Sequence, residues 1–331
     1  MSPHRWMLYG AAGMTGTLIA ENARRRGHQP LLAGRSPAGL VELAQRLELE
    51  RRVVSLDDQA GIRQVLAGVD LVLNAAGPFL HTAGPLARSC LDTGTHYLDI
   101  SNELRVFSEL YSLHARAEAA HIAIVPGVGF GVVATNCIAK EASIQVGGAQ
   151  RLEVATRADV AHNGPGVAAT IQANLPYGGW IRRDGTLEPE QFGTTTLVLD
   201  AADGPLHAIA VPTGDLEAAF RATGAPDITA YSAEITTAVQ DLATDTPTRS
   251  DGRPHHSFAW ARATGTDGST EEVWLHAGEA YQFTADAAIR AVEEILSLSP
   301  VGALSPAQAF GPGFAVTIDG TRRSRQAEHT S

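Results

Sequence analysis

Short apolar runs alternate with amphipathic stretches through the first 125 residues of the chain. The apolar runs predict strands at 6–9, 30–34, 52–56, 70–75, 96–98 and 122–125. The stretches between them repeat apolar positions at helical spacing, which predicts helices at 14–27, 37–48, 58–67, 84–93 and 103–120. Apolar strands that alternate with such helices are typical of a parallel sheet covered on both faces. The first part of the chain is therefore predicted to be an α/β domain.

The pattern changes at about residue 150, where alternating strands and turns replace the regular alternation of strand and helix. The predicted elements are a strand at 151–156, a strand at 194–199, a hairpin formed by 258–264 and 272–276, and a long helix at 280–298. These elements predict a second domain of α+β type. The longest apolar stretch, 121–139, contains Pro126 and three glycines, so it predicts a buried strand followed by a loop and not a membrane span.

The composition is that of an ordinary globular protein. The 331 residues are 44% hydrophobic and 18% charged, and the length allows two domains. A net charge of −11 argues against a nucleic-acid partner and against binding to an anionic membrane. Cys90 and Cys137 are the only cysteines, and no signal pattern precedes the first strand, so we expect a cytoplasmic protein. No Cys or acidic residue accompanies His255 and His256 at ligand spacing, so we expect no metal site.

A glycine-rich turn links the first predicted strand to the first predicted helix. Gly10 permits the tight turn, Gly13 lets backbone N–H groups approach a pyrophosphate, and Gly16 allows close packing of helix on strand. The helix N-terminus directs unpaired N–H groups and the positive end of its dipole toward the phosphates. We therefore expect a dinucleotide site formed by Gly10, Ala12, Gly13, Met14 and Thr15.

The residues after the second predicted strand indicate which dinucleotide is bound. Arg35 and Ser36 lie where an NAD site usually carries an acidic residue for the ribose 2′-hydroxyl. A guanidinium can instead hold a 2′-phosphate with two charge-assisted hydrogen bonds, and Ser36 can donate a third. NADP is therefore the expected cofactor, and a solvated arginine in a loop is the alternative. Asp57 is expected at the same edge of the sheet.

Candidates for the nicotinamide side follow the fourth and fifth predicted strands. The fourth strand ends in Asn74, Ala75, Ala76, Gly77, Pro78 and Phe79. Phe79 can flank the nicotinamide, although a simple strand-end turn explains the Gly-Pro pair equally well. On the fifth strand Tyr97 and Asp99 share one face, so Tyr97 is a candidate proton donor and Asp99 a candidate orienting residue. The alternative is that both support the loop through hydrogen bonds.

One common reductase mechanism is excluded by the lysine content. Lys140 is the only lysine in the chain, and Asn136 lies four residues before it. Short-chain dehydrogenases use a Tyr-x-x-x-Lys pair, in which the lysine lowers the pKa of the tyrosine. This chain has no such pair, so a proton must come from another group.

Several motifs occur together in a fixed order. They lie at 9–16, 33–35, 74–79, 94–99, 126–130, 182–185, 278–281 and 305–311. The ordered set resembles the saccharopine dehydrogenase-like reductases, which include trans-acting enoyl reductases of lipid and polyketide assembly. Gly131 and Asn136 stand where relatives commonly carry acidic residues, so the substrate of the family cannot simply be carried over.

The resemblance implies a particular domain organisation. It implies a Rossmann-type, doubly wound NADP-binding domain at 1–126 and a substrate and dimerisation domain of α+β type at 127–276. A carboxy-terminal helix at 277–320 is implied to return to the first domain. The polar residues 321–331 predict a disordered tail. Relatives often dimerise through the central sheet, so a homodimer is possible.

These observations predict an NADPH-dependent reductase that transfers hydride to a conjugated C=C or C=N bond of a small or medium organic substrate, in specialised or lipid metabolism. The alternative is a non-catalytic NADP(H)-responsive binding or sensor protein. We expect the active site in a cleft between the Rossmann strand ends and the central domain. The residues expected near the nicotinamide are Phe79, Tyr97, Asn102 and Phe130.

Overall fold

The computed structural model describes residues 4–161, 178–201, 204–233 and 255–325. The chain divides into two units. The first unit consists of Met1–Ser101, Arg105–Gly129 and Thr284–Leu304. The second unit consists of Asn102–Leu104, Phe130–Phe283 and Ser305–Ser331. Each unit is therefore built from three separate parts of the chain.

Apolar strands form a seven-stranded parallel sheet in the first unit. The strands are β1 (Trp6–Tyr9), β2 (Leu31–Gly34), β3 (Arg51–Val53), β4 (Leu71–Asn74), β5 (His96–Asp99), β6 (Ala123–Val125) and β15 (Gly302–Ala303). Their order is β15-β6-β5-β4-β1-β2-β3, so the direction of strand addition reverses between β1 and β4. Every residue of β1 and β4 is buried, which is typical of a doubly wound sheet. The predicted Rossmann-type arrangement is confirmed.

Helices connect the parallel strands of this sheet. They are α1 (Met14–Arg25), α2 (Pro37–Leu47), α3 (Gln59–Leu66), α4 (Phe79–Thr93), α5 (Leu104–Ser112) and α6 (His114–Ala119). Most of these helices bury one apolar side, for example Ile19 and Ala23 of α1. Helix α4 begins at Phe79 and not near residue 84 as predicted, and Pro85 lies inside it. The loop after β4 is therefore shorter than the sequence suggests.

The second unit contains a mixed sheet of nine described strands. They are β7 (Ala149–Arg157), β8 (Gly179–Arg183), β9 (Thr186–Glu190), β10 (Thr196–Ala201), β11 (Gly204–Ala210), β12 (Asp227–Ser232), β13 (Ser257–Gly265), β14 (Thr270–Ala277) and β16 (Arg322–Ser324). The main order is β10-β11-β12-β7-β13-β14-β16, with β8 on β12 and β9 on β8. Among the described strands only β12 and β7 pair in parallel, and the predicted second domain of α+β type is confirmed.

The described helices of the second unit lie before, between and after these strands. They are α7 (Phe130–Gln145), α8 (Asp215–Thr223), the beginning of α9 (Ala280–Leu298), α10 (Pro306–Phe310) and a short 3-10 helix at Phe314–Thr317. Among the described residues, no helix combines the length and the apolar character that a bilayer span requires.

The later part of α9 belongs to the first unit. Asn22 at the end of α1 donates to Asp286 of α9 at 2.6 Å. Arg26, the C-cap residue of α1, pairs with Glu293 further along α9 at 3.2 Å. Both ion-pairing side chains are partly shielded from water, so this contact is stronger than a fully exposed pair.

Two predictions about the chain are wrong. Residues 130–145 form α7, where the sequence predicts a loop. Residues 132–139 are all buried, so α7 shows no polar face and hence no helical period in its sequence. Arg322–Ser324 form β16 and not part of a disordered tail. Arg323 holds this strand to Glu141 at 2.6 Å, and residues 326–331 lie outside the described residues.

A buried carboxylate joins two helices of the second unit. Asp215 begins α8 and is only 4% exposed. The hydroxyl of Thr213 donates to one carboxylate oxygen at 2.7 Å, and the hydroxyl of Thr135 on α7 donates to the other. Burial raises the pKa of Asp215 to about 6, although both threonine hydrogen bonds act to lower it. The fold therefore favours the neutral carboxyl more than water does.

We expect Asp215→Asn to remove part of the pH dependence of stability. The pKa in the folded protein, about 6, lies above the ordinary value of 3.8. The stabilising contribution of this carboxyl is therefore complete below about pH 4 and is lost as the pH rises through about 6. The free energy of unfolding of wild type, relative to the variant, should fall by at most about 1.4 kcal/mol per pH unit in that window. Urea unfolding at a series of pH values measures this difference. The exposed Asp200→Asn is the control, and parallel curves for wild type and Asp215→Asn would contradict the expectation.

Candidate cofactor site

The turn between β1 and α1 brings two stretches of backbone into direct contact. Gly10 has φ +81°, a conformation that side chains other than glycine rarely adopt. A Cβ on Gly10 would lie 2.6 Å from the backbone nitrogen of Ala76 and 2.8 Å from the carbonyl carbon of Ala75. A Cβ on Gly16 would lie 2.3 Å from the carbonyl oxygen of Gly10. Both positions therefore require glycine for close packing.

The N-terminus of α1 opens onto this turn. Gly13 is the N-cap residue, and its N–H donates to the carbonyl of Gly10 at 3.1 Å. The first turn of a helix has N–H groups without acceptors inside the helix, and here they belong to Met14 and Thr15. Ala12, Gly13 and Met14 are exposed, Met14 to 39%. The arrangement can hold a pyrophosphate through backbone donors alone.

Charged and polar side chains follow β2 and β3 at the same edge of the sheet. Arg35 and Asp57 are exposed, and Ser36 is the exposed N-cap residue of α2. Both charges act on the hydroxyl of Tyr9, the last residue of β1. Burial raises the pKa of Tyr9, the charge of Arg35 lowers it, and the charge of Asp57 raises it further. Arg35 and Asp57 therefore lie near the same point, beside the glycine turn.

The segment after β4 completes this edge. Asn74 lies opposite Tyr9 in the parallel pairing of β4 with β1. Asn74 itself is fully buried, and its side-chain oxygen accepts from the backbone nitrogen of Ala76 at 3.0 Å. The partly or fully exposed residues of this segment are Ala75, Ala76, Gly77 and Pro78. The exposed surface of this loop is therefore backbone and small side chains.

The remaining residue of this segment, Phe79, lies in a different environment. It is 9% exposed and begins α4, with Pro78 as the N-cap residue. The sequence predicts that Phe79 flanks the nicotinamide. Its burial leaves only an edge of the ring for such a contact, and the proposed role stays a prediction.

Tyr97 and Asp99 on β5 are both fully buried. The tyrosine hydroxyl donates to Asp99 at 2.9 Å, as expected for two side chains on one face of a strand. Burial raises the pKa of both groups, and the charge of Asp99 raises that of Tyr97 further. A proton donor must reach the substrate, so these positions favour the alternative role, support of the strand-end loops. Their catalytic role stays a prediction.

The structure brings the predicted cofactor residues of β1, β2, β3 and β4 to one edge of the first unit. Phe79 and Tyr97 lie in the first unit, whereas Asn102 and Phe130 lie in the second. The cleft expected between the domains stays a prediction.

Three residues whose hydrogen bonds support this edge of the sheet were not predicted from the sequence to do so. Thr82 lies in the first turn of α4, where no helix is predicted, and its hydroxyl donates to the carbonyl of Ala76 at 2.6 Å. Ser101 and Gly127 donate to the carboxylate of Asp99. A serine two residues after an aspartate is a recognisable turn signal that could have indicated the first of these donors.

Comparison with known proteins supports this assignment. Residues 6–125 match the family described as the saccharopine dehydrogenase NADP binding domain. The match spans β1 to β6 and includes the glycine turn, Arg35 and the segment after β4. The predicted family resemblance and the predicted cofactor, NADP, are therefore confirmed.

Curated relatives are similar to part of the chain. A probable mitochondrial saccharopine dehydrogenase-like oxidoreductase of Arabidopsis thaliana is 31% identical over 144 residues, which are 38% of this chain and 31% of that protein. A trans-acting enoyl reductase of Mycobacterium ulcerans is 28% identical over 131 residues, which are 37% of this chain and 31% of that protein. The match spans about a third of the length of these relatives.

A solved structure extends the likeness of the fold. The apo saccharopine dehydrogenase (L-Glu forming) from Saccharomyces cerevisiae superposes with a TM-score of 0.68 at 12% identity. The superposition covers 97% of this chain and 99% of that chain. The α/β unit and the second mixed-sheet unit therefore share the fold of that enzyme.

We expect Gly10→Ala to weaken NADPH binding and stability together. The methyl group would collide with the Ala75–Ala76 backbone in addition to straining the turn. Gly27→Ala is a matched control, because Gly27 has φ +84° and no heavy atom within 4 Å of the added Cβ. The control should lose about 1–2 kcal/mol of unfolding free energy from the left-handed conformation alone and keep its affinity for NADPH. Denaturant unfolding and fluorescence titration with NADPH measure both quantities. Equal losses in the two variants would show that the close approach is unimportant.

Proposed function

We propose that this protein is an NADPH-dependent reductase that transfers hydride to a conjugated C=C or C=N bond of a small or medium organic substrate. The observation that carries the proposal is the juxtaposition of the glycine turn with the exposed Arg35, within a stretch that matches an NADP-binding family. The second unit then supplies the substrate-binding domain.

The residues at the strand ends fit NADPH. The amides of Met14 and Thr15 face the pyrophosphate position at the start of α1. Arg35 and Ser36 offer a charge and a hydroxyl to the 2′-phosphate. Ala76 presents its backbone close to Gly10, where a cofactor can lie against the loop without side-chain obstruction. NADPH supplies the hydride. The protein must therefore bind and orient the substrate and exclude water from the site.

The class of acceptor is suggested by the names of relatives. Trans-acting enoyl reductases of Mycobacterium ulcerans and Mycobacterium leprae are 28% and 31% identical to this chain over 131 and 138 residues. An enoyl group is a conjugated C=C bond, and a C=N bond accepts hydride in the same manner. Both acceptors also need a proton, which a side chain or water held by the protein can deliver.

A non-catalytic NADP(H)-responsive protein is the second candidate. The two side chains that the sequence predicts as catalytic, Tyr97 and Asp99, are fully buried and hydrogen-bonded to each other. Cofactor binding does not need a proton donor, so this burial is compatible with a sensor. Turnover distinguishes the two candidates.

We expect Arg35→Ala to weaken NADPH far more than NADH. The substitution removes a charge-assisted contact to the 2′-phosphate worth about 1.5–3 kcal/mol, which corresponds to roughly 10- to 150-fold in Kd. NADH lacks that phosphate and should be affected little. Titration of both cofactors by calorimetry gives the comparison. Arg116→Ala, which removes an exposed arginine from α6 of the same unit, is the control for net charge. If both cofactors weaken equally in Arg35→Ala, the arginine serves the structure and not the selection of NADP.

We expect purified protein to oxidise NADPH in the presence of a conjugated enone, an enoyl thioester or a cyclic imine. The decrease in absorbance of NADPH measures turnover, and NADPH should also raise the melting temperature because it binds only the folded state. Stoichiometric binding without oxidation across this panel would support the sensor instead. A protein that neither binds NADPH nor gains thermal stability from it would refute both candidates.

A further inference from the structure

A buried chain of hydrogen bonds links the loops that follow β4, β5 and β6. Asn74 Nδ2 donates to the hydroxyl of Tyr97 at 3.1 Å, and that hydroxyl donates to Asp99 Oδ2 at 2.9 Å. The other oxygen of Asp99 accepts from the backbone nitrogen of Ser101 at 2.9 Å, from the Ser101 hydroxyl at 2.6 Å and from the backbone nitrogen of Gly127 at 3.0 Å. The side chains of Asn74, Tyr97 and Asp99 are fully buried, so water does not compete for these hydrogen bonds.

The groups at the two ends of this hydrogen-bond chain determine which group donates and which accepts in each bond. The backbone N–H of Ala76 can only donate, so Asn74 must turn its oxygen toward it and its NH₂ group toward Tyr97. The tyrosine oxygen must then accept, which leaves its proton for Asp99. At the other end a carboxylate is the acceptor that backbone donors require. A single consistent orientation of the Asn74 amide results.

Thr82 holds the next peptide group, between Ala76 and Gly77. Its hydroxyl donates to the carbonyl oxygen of Ala76 at 2.6 Å and accepts from Asn74 Nδ2 at 3.3 Å. The N–H and the carbonyl of Ala76 are therefore both bound by side chains of the first unit. Few loop residues have both backbone groups held in this manner, because loop amides usually bind water or other backbone groups.

Ala76, the residue held in this manner, is also the one that meets the glycine turn. The backbone nitrogen of Ala76 lies where a Cβ on Gly10 would be only 2.6 Å away. A small shift of Ala76 would thus either collide with the turn or open a gap beside it. Ala76 lies just beyond the paired ends of β1 and β4, Tyr9 and Asn74.

We propose that this hydrogen-bond chain, together with Thr82, positions the backbone of Ala76 as the wall of the NADPH site on the nicotinamide side. The positioning residues are Asn74, Thr82, Tyr97 and Asp99. The assignment rests on the proposed binding of NADPH at this edge. Tyr97 acts through Asn74, and Asp99 acts through Tyr97, and neither touches the reacting atoms. Arg35 and the α1 N-terminus hold the other half of the cofactor independently of the chain.

The first test removes the hydrogen bond from Thr82 to Ala76, at the exposed end of the hydrogen-bond chain. Thr82→Val keeps the shape of the side chain and loses the donor to Ala76, whereas Thr82→Ser keeps the donor and is the matched control. Thr82 is partly exposed, so both variants should fold. We expect Thr82→Val to raise the Kd for NADPH about tenfold, and Thr82→Ser to behave as wild type. The fragment 2′,5′-ADP lacks the nicotinamide and its ribose, so its Kd should change much less than that of NADPH.

The second test interrupts the chain at its centre. Tyr97→Phe removes the hydroxyl between Asn74 and Asp99, and Tyr111→Phe, a buried tyrosine in α5 of the same unit, is the control. Hydrogen exchange of the Ala76 amide, measured by NMR without cofactor, should become faster in Tyr97→Phe and stay unchanged in Tyr111→Phe. Titrations with NADPH and 2′,5′-ADP should show the same selective loss as in Thr82→Val.

The outcomes separate this assignment from the proposed function. If wild type does not bind NADPH, the proposed function fails, and exchange at Ala76 still shows whether the chain holds the peptide. If wild type binds NADPH but Thr82→Val binds it equally well, the positioning role is wrong. Equal weakening of NADPH and 2′,5′-ADP would also overturn it, because that result indicates general loosening of the unit. If Tyr97→Phe does not fold, the two Thr82 variants decide.

Discussion

The close approach of Gly10 to the Ala75–Ala76 backbone is the constraint on which the first unit depends. It occurs where the order of strands reverses, between β1 and β4, so two loops that leave the sheet in different directions meet there. Two backbones can approach this closely only where one residue has no side chain. The helix dipole of α1, the exposed arginine after β2 and the small-residue loop after β4 are all arranged around that contact. An acidic protein can in this manner present a local site for an anionic cofactor.

Much of the first unit could be predicted from the sequence, because its physical signals are local. Strands buried on both faces are continuous apolar runs, and the glycine spacing of the first turn follows from the geometry of phosphate binding. Arg35 could be placed for the same reason, since it directly follows a strand. The family match over 6–125 agrees with these local signals.

The rest depended on contacts between residues distant in sequence. Nothing near Asn74 shows that its amide is bound by Tyr97, which is 23 residues away. Contact of Asn74 with the cofactor was predicted because polar residues at strand ends usually face ligands. In the structure the Asn74 side chain is instead buried inside the first unit. Helix α7 was missed for a related reason, because an element surrounded by protein carries no polar face to reveal its period. In the second unit, strands β8 and β12 were missed because strands of five or six residues give weak periodic patterns.

The interleaving of the two units has a consequence for synthesis on the ribosome. The parallel sheet of the first unit gains its edge strand β15 only after residue 303 has been made, since Gly302 and Ala303 pair with Ala123 and Ile124 of β6. Until then the nascent chain exposes an unpaired strand edge, which is a template for association with other chains. The strand is short, and β6 has only three residues, which limits that exposure. The order of translation thus makes completion of the cofactor domain one of the last events in the folding of the whole chain.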